Sequence, residues 1–97
     1  MNYSELRQIQ LKSRRLRDEL IASPYTLHDN YPQFAVTNDY AALCHRCCKS
    51  EARSIGFTYG SDGWAIARLA VNWEDPALYC DHCGRRIESA YSEDDAE

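Results

Sequence analysis

Cys44-His45-Arg46-Cys47 and, after a gap of 32 residues, Cys80-Asp81-His82-Cys83 are the stretches that decide how this 97-residue chain is read. Two residues between cysteines let a tight turn aim both sulfurs at one point, and two such turns can surround one zinc ion tetrahedrally. The doubled Cys-x-x-Cys pattern points to a metal site rather than to a disulfide framework. The chain has five cysteines, so two disulfides would leave one thiol over. Four ligands with one spare is the simpler account, with Cys48 as a small buried apolar residue. A register in which Cys48 replaces Cys47 as ligand stays open at this point.

The surroundings of the two pairs suit a tetrathiolate. Arg46, Lys49, Arg85 and Arg86 lie beside the cysteines, and zinc held by four thiolates carries a formal charge of about −2 that nearby cations offset. Gly84 directly follows Cys83, as expected where the backbone leaves the turn with positive φ. His45 and His82 lie between paired cysteines and are expected to point away from the metal; His28 reads as a loop histidine. A mixed Cys/His site and a redox dithiol are the competing readings, and the second lacks the βαβ context of a thioredoxin-like motif. A saturated all-cysteine site has no open position for water or substrate, so the expected cofactor is one structural Zn2+. No phosphate loop, nucleophile motif or deaminase pattern accompanies it, and the chain is read as a non-enzyme.

Working outward, residues 3–22 predict a helix. Leu6, Ile9, Leu16 and Leu20 follow a 3, 4 spacing, with Ser13 standing in the missing step. Ser4 is a candidate N-cap and Pro24 a stop. Two uses of the stripe are open: packing on the chain's own sheet, or pairing with a second copy or a partner. Residues 23–32, with two prolines, read as a linker. FAVT and YAAL, around Asn38-Asp39, predict a hairpin leading into Cys44. Ser54–Tyr59 predicts another short strand, Gly60-Ser61-Asp62-Gly63 a turn, and Trp64–Trp73 a longer strand. Residues 92–97 predict disorder. The fold class that follows is small α+β: an N-terminal amphipathic helix, 1–22, a linker, 23–32, and a zinc-ribbon-like antiparallel sheet with two knuckles, 33–91, ahead of an acidic tail, 92–97.

Net charge is −4, but its distribution says more. Arg7, Lys12, Arg14, Arg15 and Arg17 make the first twenty residues basic, whereas Glu88, Glu93, Asp94, Asp95 and Glu97 make the last ten acidic. Overall acidity argues against a dedicated duplex-DNA binder. The apolar runs are far too short for a membrane span, and residues 1–20 lack the apolar core of a signal peptide. Reduced thiols and a cytoplasmic location are therefore expected.

The stretch from about Tyr31 to Tyr91, through TNDYAALCHRCC, the GSDGW turn and VNWEDPALYCDHCGRRIESAY, resembles short zinc-ribbon proteins of bacteriophages and bacterial mobile elements. The resemblance implies a small zinc-bound domain of phage origin and lends no activity. Residues 1–30 lie outside it. Two functions are expected on these grounds. One is a protein-binding module that binds and modulates or inhibits a host protein or nucleoprotein complex, using the face of Leu6, Ile9, Leu16 and Leu20 and the cations Arg7, Arg14, Arg15 and Arg17, with a homodimer through the same helix as a further use. The other is nucleic-acid binding, with the arginines on phosphates and Tyr59, Trp64 and Trp73 stacked on bases.

Overall fold

The computed structural model describes residues 2–26 and 30–91. Helix α1 runs Tyr3–Ala22, strand β1 Gln33–Thr37, strand β2 Ala42–Leu43, helix α2 His45–Ser50, helix α3 Ala52–Gly56 and strand β3 Ile66–Val71. The three strands form one antiparallel sheet in the order β2-β1-β3. The protein is thus small α+β, with its N-terminal helix packed across β3, β1 and the two short helices. The disorder expected for residues 92–97 and the reading of His28 fall outside the described residues.

Helix α1 has the predicted length, but its cap is Asn2 rather than Ser4. The Asn2 side chain accepts the Glu5 N–H at 2.8 Å, and Glu5 accepts the Asn2 N–H at 3.0 Å, a complete capping box. The helix stops where Ser23 turns extended ahead of Pro24. Segment 23–32, expected as a linker, is tied at its ends: Gln33 N–H donates to Pro24 O and Thr26 N–H to Tyr31 O, both at 2.8 Å.

The expected hairpin between β1 and β2 forms with a longer loop. Thr37 N–H donates to Ala41 O, and Tyr40, not a glycine, takes the left-handed position at φ 68°. That is the three-residue hairpin geometry in which a residue with positive φ closes the turn. Strand β3 pairs with β1 through Phe34↔Ala70 and Ala35↔Leu69, with a register shift at Val36/Thr37.

The strand expected at Ser54–Tyr59 is not formed; helix α3 occupies its first half. The reason is tertiary. A five-residue helix leaves nearly all its carbonyls without an internal partner, and α1 supplies those partners from its side chains. Arg17 Nη1 donates to Ala52 O at 2.7 Å, Ser13 Oγ to Ile55 O at 2.9 Å, Arg14 Nε to Gly56 O at 2.8 Å and Gln10 Nε2 to Thr58 O at 3.1 Å. The two helices approach closely enough that a Cβ on Gly56 would lie 2.5 Å from Arg17 Nη1.

One core joins all the elements. Leu16 and Leu20 from α1, Phe34, Ala35 and Val36 from β1, Ala42 and Leu43, Cys48, Ile55, Ile66 and Ile87 are buried together. The stripe on α1 is thus used inside the molecule at its C-terminal half, whereas Leu6 and Ile9 stay half-exposed. No helix among the described residues is long and apolar enough to cross a membrane.

Candidate metal centre

The first cysteine pair opens a helix rather than capping a hairpin: Cys44 is the N-cap of α2 and Cys47 lies within it. The second pair sits in the tight turn expected. Cys80 N–H donates to Arg85 O, Gly84 N–H donates to Cys80 O, and Tyr79 bridges Arg86. Gly84 has φ +75°, as its position after Cys83 predicts. Two backbone-level contacts dock the halves together. Ala42 N–H donates to Asp81 Oδ2 at 2.7 Å, and Asp81 N–H returns to Ala42 O at 2.8 Å. Asp81, an unremarked residue between two cysteines, thus fixes one turn against strand β2; nothing in the sequence pattern distinguishes it from a solvated turn aspartate.

The docking brings the Sγ atoms of Cys44, Cys47, Cys80 and Cys83 within 4.8 Å of one another. Cys44 Sγ lies 3.7 Å from Cys83 Sγ and Cys47 Sγ 3.6 Å from Cys80 Sγ. A tetrahedral ion at Zn–S of about 2.3 Å places its sulfurs about 3.8 Å apart, whereas a disulfide needs about 2.05 Å. The donor set, its number and its spacing therefore fit one tetrahedral thiophilic cation. Cys47 and Cys80 are buried, Cys44 is half-buried, and Cys83 is exposed at the rim.

The alternative register is settled by geometry. Cys48 is fully buried in the hydrophobic core and outside the sulfur cluster. Burial pushes its thiol up to about 12, the behaviour of a neutral core residue. Burial also raises Cys44 and Cys47, the latter reinforced by hydrogen bonding with Cys83, Cys80 and Cys44. Cys80 goes the other way. Burial opposes ionisation there, but the N–H groups of Cys83, Cys44 and His82 outweigh it and lower the thiol to about 7. The Cys44 N–H points at Cys80 Sγ from 3.4 Å. A cation held by these four sulfurs would stabilise their thiolates together.

His45 and His82 do not join the cluster. His82 lies 3.5 Å from Glu51 and edge-on to Trp64, with ring centroids 5.2 Å apart. His45, Arg46, Arg85 and Arg86 line a cavity of about 240 Å³ beside Cys44, whereas Lys49, also expected near the cysteines, is not part of that lining.

The residues expected to meet a partner are divided by the fold. Arg14 and Arg17 are drawn to α3 carbonyls, Arg14 also lying 4.8 Å above the Phe57 ring, and Arg17 pairs with Asp18. Leu16 and Leu20 are buried. Arg7 and Arg15 remain exposed. Comparison of the chain with protein-family models, with curated proteins and with solved structures finds no match.

Proposed function

We propose that the protein is a zinc-held binding module, with one structural Zn2+ on Cys44, Cys47, Cys80 and Cys83, and that it acts by binding another protein. The observation that carries the metal assignment is the meeting of four sulfurs from two distant segments at tetrahedral separation. Four thiolates fill the coordination of zinc and leave no site for water or substrate, which supports a holding role rather than a catalytic one. The clasp is zinc-ribbon-like in its second turn and departs from that pattern in its first, which starts helix α2.

Three features support the binding role. Exposed Tyr3, Tyr25, Phe57, Tyr59, Trp73, Tyr79 and Tyr91 give this small protein an aromatic surface of the kind enriched at interfaces. The apolar stripe expected to pair helices is buried where it is strongest, which favours a hetero-partner elsewhere over a helix-mediated homodimer. Two of the arginines on which a phosphate-binding face would depend hold α3 instead, which favours protein over nucleic acid. The proposed setting is a phage or mobile-element accessory protein in the bacterial cytoplasm, acting on a host protein or nucleoprotein complex. Elemental analysis of the purified chain should find one zinc per molecule, and Cys80→Ser should lose it along with the cooperative melt. Zinc-free protein that melts normally, or Cys80→Ser with full metal content, refutes the clasp. Affinity capture from host lysate by zinc-loaded protein tests the binding role, which fails if nucleic acid alone is retained.

A further inference from the structure

Strand pairing assembles an aromatic surface at the open end of the sheet. In the β1–β3 ladder Gln33 pairs with Val71 and Phe34 with Ala70; continuing that register sets Tyr31 opposite Trp73. Their rings meet edge-on with centroids 4.9 Å apart, a cross-strand aromatic pair. The chain then returns to the same place. Ala90 N–H donates to Asn72 O at 2.7 Å and Tyr91 N–H to Trp73 O at 2.9 Å. Tyr91 thereby joins the pair, its ring 6.1 Å from Trp73 at an interplanar angle of 30° and 6.2 Å from Tyr31.

Buried Asn72 locks this arrangement. Its side-chain NH2 donates to Asp75 O at 2.9 Å and Ile87 O at 3.1 Å, while its Oδ1 accepts the Asp75 N–H at 3.0 Å. The backbone beneath the rings is tied by these bonds, and Trp73 is 48% and Tyr91 56% exposed. A rigid, open aromatic surface is what a binding site needs to avoid ordering costs on association.

Glu74 and Asp75 follow Trp73 directly and are exposed. Arg86, which reaches this side, directs its guanidinium to Pro76 O and Ser89 Oγ. We propose that the Tyr31–Trp73–Tyr91 cluster, with Glu74 and Asp75 beside it, is the docking surface for a lysine- or arginine-rich segment of a partner protein. The inference rests on the binding-module reading and names its surface and the chemistry of its partner. Ring faces take guanidinium groups and the apolar stems of basic side chains; the carboxylates attract the same segment and repel phosphates.

The test uses the full zinc-loaded chain and fluorescence anisotropy with three labelled probes: a twelve-residue peptide alternating arginine and glycine, its glutamate counterpart, and a twelve-nucleotide oligo(dT). The arginine peptide should bind, weakening as salt rises. Trp73→Ala should lower its affinity about tenfold, as truncation of an aromatic anchor does, and Glu74→Gln should lower it less. Metal content and melting temperature should stay at wild-type values in these variants, and Tyr40→Gly, at an exposed aromatic of the β1–β2 loop, should bind as wild type. Tyr91→Ala, at the more exposed ring, gives an independent reading if Trp73→Ala melts lower. Arginine-peptide binding undiminished by both Trp73→Ala and Tyr91→Ala overturns the surface, as does equal binding of the glutamate peptide or the oligonucleotide. A host protein captured equally well by Trp73→Ala overturns the surface while leaving the module reading standing; retention of nucleic acid alone removes both.

Discussion

Replacing Ser13 by alanine separates two accounts of helix α1 by the sign of the effect. On periodicity alone, Ser13 is a gap in an apolar stripe, and alanine, the best helix former, should stabilise the protein by about 0.5 kcal/mol. The structure assigns Ser13 a different part. It is fully buried, its Oγ donates to Ile55 O at 2.9 Å, and the same atom accepts the Ile66 N–H at 3.1 Å. One hydroxyl thus joins the helix, the end of α3 and the start of β3. Alanine leaves a buried acceptor and a buried donor without partners, each costing about 1–3 kcal/mol. After the gain in helix propensity, the net loss is about 1.5–5.5 kcal/mol. For a domain of this size that corresponds to a fall in Tm of roughly 7–27 °C. Urea unfolding and thermal melts of zinc-loaded wild type and Ser13→Ala measure it, with exposed Ser4→Ala as a control that stays near wild type. A Ser13→Ala protein as stable as wild type, or more so, refutes the hydrogen-bonded node and restores the simple stripe.

Three further outcomes are expected. Cys48→Ala should retain one metal ion per chain and lose about 1 kcal/mol through the vacated core volume; loss of metal would show that Cys48 is a ligand. Tyr40→Gly should raise stability by about 1 kcal/mol in the same melts, because Tyr40 has φ 68° and is 87% exposed, so glycine relieves backbone strain without removing packing. Asp62 should couple folding to acid: burial pushes its carboxyl up, but Thr58 Oγ1 and the Tyr59 and Trp64 N–H groups hold it below the usual carboxylate range. A folded pKa below the unfolded one gives stability that is complete above the ordinary carboxylate range and lost as pH falls through the folded value. The difference between wild type and Asp62→Asn, which cancels the acid release of metal common to both, should therefore be largest near neutrality and shrink below about pH 4; a constant difference across that range would show that Asp62 acts without its charge.

The sequence by itself determined the helix of residues 3–22, the strand leading into Cys44, the turn at Cys80–Cys83 with its glycine, and the four cysteines that meet. Each is a local pattern: a 3.6-residue period, a turn residue at a required φ, a two-residue ligand spacing. Even the capping box at Asn2 and Glu5 was written there, two residues earlier than Ser4. Tertiary structure decided the rest. Ser54–Tyr59 has the residue types of a strand, yet its first half is helical because four side chains of α1 bind carbonyls between Ala52 and Thr58, partners more than thirty residues away in sequence. The same contacts turned Arg14 and Arg17 from candidate partner residues into internal braces. Cys47 and Cys48 differ by one position and cannot be told apart as letters; on a helix, one step is about 100° of rotation, which aims one sulfur at the cluster and the other into the core. Tyr31, Trp73 and Tyr91 likewise come together only through strand register and a returning segment, which no single stretch of the chain encodes.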